Sequence, residues 1–232
     1  MFRKTGRIAV LAASLGVVGA MFVAVTSASA LKITPKFTNW PVTGALTIKK
    51  LGQEVKLPEG GTFNGTGEIN IEPGSGITGT IEGNTFVPPF TATLNILFIP
   101  TPTGLSFSPE NPAHGTIKSV APSNCPNPVA GSAETCVNLN VPEKVTLGVT
   151  SIALLGVKIP TQCETIRPAE FNLSTDLTLL EIVSVGSHFT GETEIPLVKC
   201  RGLFGLTLDL TLDTLLSGPN NPYSLNINPP KM

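Results

Sequence analysis

Apolar and polar residues alternate with a period of two along most of this chain, and that pattern limits the folds open to it. Leu206, Leu208, Leu210 and Leu212 alternate with Thr207, Asp209, Thr211 and Asp213. In an extended strand every second side chain projects to the same side, so this register gathers the four leucines on one face. Phe90, Ala92, Leu94, Ile96 and Phe98 alternate in the same way with Thr91, Thr93, Asn95 and Leu97. Shorter instances are Ile69/Ile71, Val137/Leu139/Val141, Val145/Leu147/Val149, Leu177/Leu179 and Leu225/Ile227. Proline or glycine interrupts the chain about every dozen residues, the spacing of short strands joined by turns. The expectation is an all-β fold of antiparallel strands, a sandwich or a barrel-like arrangement. Beyond residue 30 no helical stripe is evident, and residues 214–217 allow at most one helical turn before Gly218-Pro219 ends it.

A weaker regularity points to two similar halves. Phe63-x-Gly65-x-x-Glu68-Ile69 matches Phe189-x-Gly191-x-x-Glu194-Ile195. Upstream, Leu51-Gly52 leading to Val55-Lys56-Leu57-Pro58 resembles Leu155-Gly156 leading to Val157-Lys158-Ile159-Pro160. The halves would span residues 31–120 and 137–232 of a single domain over 31–232, since no flexible linker intervenes.

The first thirty residues address the chain rather than shape it. Arg3, Lys4 and Arg7 precede an apolar run from Ile8 to Val25, and Ala28-Ser29-Ala30 supplies a small-x-small processing site. This reads as a signal peptide over 1–30, cleaved after Ala30. A retained N-terminal membrane anchor is the alternative, because the run is close to the shortest that spans a bilayer. Its many alanines and glycines weaken that reading. The mature protein would then be secreted or held in the cell envelope.

Removing residues 1–30 takes three basic residues from the 15 Lys and Arg and none of the 16 Asp and Glu, leaving a net charge of about −4. A mildly acidic average argues against nucleic acid and anionic lipid headgroups as partners. Four cysteines in an exported chain imply two disulfides. Cys125–Cys136 is the favoured pair because Pro126, Asn127, Pro128 and Gly131 let so short a segment turn back, which leaves Cys163–Cys200. A zinc site has less support, since no C-x-x-C occurs and neither histidine neighbours a cysteine.

One further set of residues carries a resemblance. Gly156-Val157, Cys163, Leu173, Phe189-x-Gly191 with Ile195-Pro196, Cys200 and Ser217-Gly218-Pro219-x-Asn221 are similar to a group of exported, uncharacterised actinomycete proteins. The resemblance covers roughly the last 80 residues. It implies export and an all-β fold, and it transfers no site residues.

No catalytic constellation is evident. The histidines are His114, in an Asn-Pro-Ala-His-Gly turn, and His188; the aspartates are Asp176, Asp209 and Asp213. Ser187 and His188 are adjacent, so a strand would send them to opposite faces. Glu192 and Glu194 would share a strand face, as paired glycosidase carboxylates do, but a solvated edge explains them equally. Asp209 and Asp213 on one strand would stand about 13 Å apart, too far to share an ion. Gly60-Gly61 and Gly74-Ser75-Gly76 fit turns and not a phosphate loop. Asn64-Gly65-Thr66 and Asn172-Leu173-Ser174 are formal glycosylation sequons. A membrane β-barrel would need aromatic girdles, and beyond residue 30 there is one tryptophan, Trp40, and one tyrosine, Tyr223.

The leading expectation is a non-enzymatic extracellular or envelope protein acting as an interaction or structural module, without a cofactor or metal. The alternative is a carrier that holds a lipid or other apolar ligand between β layers. An enzyme of unknown class comes third.

Overall fold

The computed structural model describes residues 30–72, 76–96, 98–125, 136–154, 156–201 and 205–230. Residues 1–29 of the expected signal peptide (1–30), Gly74-Ser75 and the loop within the Cys125–Cys136 ring lie outside these. The strands in chain order are Leu31–Ile33 (β1), Lys36–Ile48 (β2), Gln53–Lys56 (β3), Thr62–Glu72 (β4), Gly76–Phe86 (β5), Phe90–Ile96 (β6) and Ile99–Pro109 (β7). Ala113–Ser119 (β8), Cys136–Leu154 (β9), Val157–Thr165 (β10), Ala169–Thr178 (β11), Ser187–Ile195 (β12), Val198–Arg201 (β13) and Gly218–Ile227 (β14) follow. They form one antiparallel sheet in the order β12-β14-β2-β4-β5-β8-β9-β10-β13, with β1 on β4, β3 on β2, β6 on β7, and β7 and β11 both on β9. The all-β antiparallel expectation holds. Both favoured disulfides are formed, Cys125–Cys136 and Cys163–Cys200.

Two long strands organise the sheet. Along β2, residues 36–41 pair with β4 and residues 45–48 with β3. Along β9, the first half pairs with β8 and β11 and the second with β7 and β10. Gly52 leaves β2 for β3 and Gly156 leaves β9 for β10, both at positive φ (60° and 82°), a conformation that glycine adopts without strain. The two connections differ in length: Ile48 pairs with Gln53 across a 3₁₀ turn, whereas Leu154 pairs with Val157 directly, so the similar segments share only the glycine that ends the turn.

The sheet curls until β11 lies against β12. There Thr193 Oγ1 donates to the Glu170 carbonyl (2.7 Å), and the Tyr223 hydroxyl donates to the Asn172 carbonyl (2.9 Å). No ladder of paired backbone joins these two strands, so the arrangement is barrel-like but open. Glycine at 191 makes the crossing possible: a Cβ there would stand 2.5 Å from the Tyr223 hydroxyl oxygen. Gly65 does the same for Phe63, whose Cζ would meet a Cβ at 2.8 Å. The repeated Phe-x-Gly spacing thus marks two places where an aromatic ring lies across a strand, that of the Phe itself in one and of Tyr223 in the other.

The inward faces merge into one core that includes Phe37, Trp40, Phe63, Ile81, Leu139, Phe171 and Phe189. Phe37 and Trp40 meet edge to face at 4.9 Å, a favoured aromatic geometry.

Three local expectations are corrected. Leu206 to Asp213 is not a strand but part of a helix, Gly205–Leu216 (α2). Leucine at every second position also places leucines at i and i+4, so the pattern serves a helix once tertiary contacts favour one. Asp209 and Asp213 then stand one turn apart on one helix face. Their Oδ1 atoms accept the backbone N–H groups of Cys200 and Val198 on β13. Leu212 and Leu216 are buried, and Leu210 is exposed. Strand β13 pairs with β10 along one edge, and α2 satisfies N–H groups that would otherwise invite another strand. Replacing Asp209 and Asp213 by alanine is expected to cost about 1.5–3 kcal/mol for each charged acceptor lost. Chemical denaturation should show this loss, with faster amide exchange at Val198 and Cys200. An unchanged midpoint would mean that the helix is held by its leucines alone.

Leu179 also leaves the strand pattern, opening the helix Leu179–Ser184 (α1) directly after β11. Thr178 and Glu181 form its capping box, each side chain accepting the other's backbone N–H. Phe98, expected to continue the alternation of β6, sits instead at the β6–β7 turn and is fully exposed.

Candidate ligand site at Glu143

The inward face of β9 carries Val137, Leu139, Val141, Val145, Leu147 and Val149. Glu143 falls in phase with them, so the pleat that buries the valines also turns its carboxyl inward. Only 6% of the residue is exposed. Its Oε1 has no hydrogen-bond partner. Burial penalises the ionised form and raises its pKa from 4.5 to about 7. The carboxyl is therefore substantially protonated near neutral pH.

Two apolar clefts meet at this residue, sharing Thr85, Glu143, Leu173 and Ile227 in their walls. The first lies among Phe37, Trp40, Phe63 and Phe189, the second among Val42, Leu46, Phe171 and Tyr223. Their cavity volumes are about 40 and 60 Å³. Each has a volume equal to that of a few waters. Such a space has room for a short apolar segment and excludes a bulky polycycle. Chemically, the site offers an apolar wall and one carboxyl that can donate or accept a hydrogen bond.

The residues weighed from sequence as candidate sites do not converge here, apart from Ser187. Ser187 is buried and lines the first cleft, while His188 on the opposite face meets Asn226 Oδ1 at 2.7 Å. His114 lies in strand β8 and not in a turn, exposed, with Nδ1 3.9 Å from Glu82. Asn111 and Pro112 alone make the bend before it. Glu192 and Glu194 both face solvent, and Glu194 pairs with Arg167 at 2.8 Å. Asp176 accepts from Asn138 at 2.7 Å, and Asp209 and Asp213 hold β13. Gly60 and Gly61 lie in the connection from β3 to β4. Asn64 of the first sequon accepts the Asn39 N–H at 2.7 Å, and Asn172 of the second faces outward. Among the described residues no group of three or more His, Cys, Asp or Glu side chains could hold a metal ion.

Glu143 was not singled out from the sequence. The signal is nevertheless present there: Val137/Leu139/Val141 and Val145/Leu147/Val149 are one alternation, and the position between them is a glutamate. Compared with known proteins, the chain matches no protein-family model, no curated protein and no solved structure.

Proposed function

We propose that the chain is an exported, non-enzymatic binding module of the extracellular space or cell envelope, whose ligand is a slender apolar molecule seated against Glu143. The observation that carries this reading is the buried Oε1 without a partner where two apolar clefts meet. A buried polar atom left unpaired costs about 1–3 kcal/mol, so a ligand bringing the missing partner recovers part of that cost. An alkyl chain ending in a hydroxyl has the matching chemistry, the chain against the cleft wall and the hydroxyl on the carboxyl. Export is supported by the pattern of residues 1–30 and by two disulfides, which belong to an oxidising compartment. Among the described residues no helix is long and apolar enough to cross a membrane. A second reading, an interaction module acting through its surface, is favoured by apolar turns at one end of the sheet.

Native mass spectrometry of protein purified from its producing cell is expected to show an adduct that organic extraction removes. Stripped protein should then bind 1-decanol, with affinity reduced about tenfold in Glu143→Leu for the loss of one hydrogen bond. A ligand-free mass together with no response to decanol would refute the carrier reading.

A further inference from the structure

We propose that the end of the sheet formed by the β6–β7 and β9–β10 turns docks on an anionic lipid surface. Ile96 faces Ile99 across the first turn, and Leu154 faces Val157 across the second. Strands β7 and β9 are neighbours with Thr103 opposite Ile152, and that register carried outward brings Ile99 level with Gly156. Phe98, Ile99 and Val157 therefore lie at the same end of the sheet. Phe98 is 100% exposed, Ile99 63% and Val157 64%, although isolated exposed apolar residues would ordinarily be scattered.

Phe98 also has φ of 66°, a left-handed conformation that a bulky side chain rarely adopts. A two-residue hairpin turn ordinarily takes Asn or Gly at such a position. An aromatic residue held there against local preference points to a use for the exposed ring.

The same end is basic. Gln53, which follows the 3₁₀ turn Lys49–Leu51, bonds through its side chain to the backbone of Thr93 and Asn95, close to the β6–β7 turn. That brings exposed Lys49 to this end, and exposed Lys158 is the second residue after the β9–β10 turn, whereas Lys50 donates to the Asp213 carbonyl of α2 at 3.3 Å. The acids nearest in sequence are Glu54 for Lys49, itself 3.9 Å from Lys56, and Glu164 for Lys158. The average charge of the chain argued against anionic lipid, but the fold places Lys49 and Lys158 beside the apolar turns. Exposed apolar side chains with Lys49 and Lys158 beside them suit the headgroup region of a bilayer. A protein partner would need about 800 Å² on each side, more than three side chains at turns provide.

The proposal does not depend on a ligand at Glu143, and Glu143→Leu should bind vesicles as the native protein does. The test is co-sedimentation of the protein exported by its host with phosphatidylcholine vesicles, with and without phosphatidylglycerol. Binding is expected on the anionic vesicles. Substituting Lys49 and Lys158 by glutamine should weaken it about 25-fold, at roughly fivefold per lysine. Phe98→Gly with Ile99→Ser should weaken it at least tenfold on the scale of apolar burial, with Tm unchanged or raised because glycine relieves the turn. No binding to either vesicle, or undiminished binding by the Phe98→Gly/Ile99→Ser variant, overturns the proposal. So does a concentration-dependent dimer that this variant abolishes, which would assign the turns to a second copy of the chain.

Discussion

Serine at both Cys163 and Cys200 is expected to lower the stability of the oxidised protein by about 4 kcal/mol. The two residues face each other directly across β10 and β13 and close a loop with a sequence separation of 37. In the chain-entropy description a cross-link of that span removes about 4 kcal/mol of disorder from the unfolded chain, against about 3 for the separation of 11 between Cys125 and Cys136. The consequence extends past β13. That strand is four residues long and is held by the disulfide, by pairing with β10 and by the carboxylates of α2. Releasing the disulfide should free β13 and α2 together, before the long strands open. Denaturant titration gives the size of the effect, and hydrogen exchange gives its place. A loss below 1 kcal/mol, or opening that begins at β4 and β5, would contradict the expectation.

Glu143→Leu is expected to have the opposite sign, raising stability at pH 7 by about 1–3 kcal/mol. It removes a buried polar atom without a partner and leaves an aliphatic side chain among Val141, Val145, Phe171 and Leu173. The pH dependence follows from the raised pKa. The unfolded carboxyl releases its proton near 4.5, whereas the folded one keeps it to about 7. Between those values the unfolded chain is increasingly favoured, so this residue's contribution to stability falls as pH rises from about 4.5 to about 7. The whole change is about 3 kcal/mol at 1.36 kcal/mol per pH unit. The stability difference between the native protein and Glu143→Gln isolates this residue from the other carboxyls. That difference should vary with pH over the window and level off above it. A flat difference would mean that the carboxyl is paired or solvated in the folded protein. A core position that costs stability is more easily understood as retained for binding than for folding.

Strand periodicity was legible wherever one sheet face is buried, because burial and pleat share the period of two. The cysteine pairing was legible because one short segment was rich in turn residues. Glu143 sits in phase with the valines, and local pattern shows only that it points inward. Its partnerless Oε1 depends on side chains brought in from β2, β5, β11 and β14.

Segment 205–216 divides what sequence fixes from what only folding decides. Its leucines meet both the strand period and the i, i+4 spacing of a helix, so the spacing is compatible with either. The choice was made by the free edge of β13, whose N–H groups found acceptors in Asp209 and Asp213 one helical turn apart. Phe98 is the converse case, since its residue type suited a core and the turn placed it in solvent. The sequence by itself determined antiparallel strands, two disulfides and an apolar interior, because each rests on local spacing and residue chemistry. The α2 helix, the apolar turns beside lysines and the partnerless carboxyl were decided by tertiary structure. Each depends on which distant residues arrive alongside, and sequence spacing does not encode that.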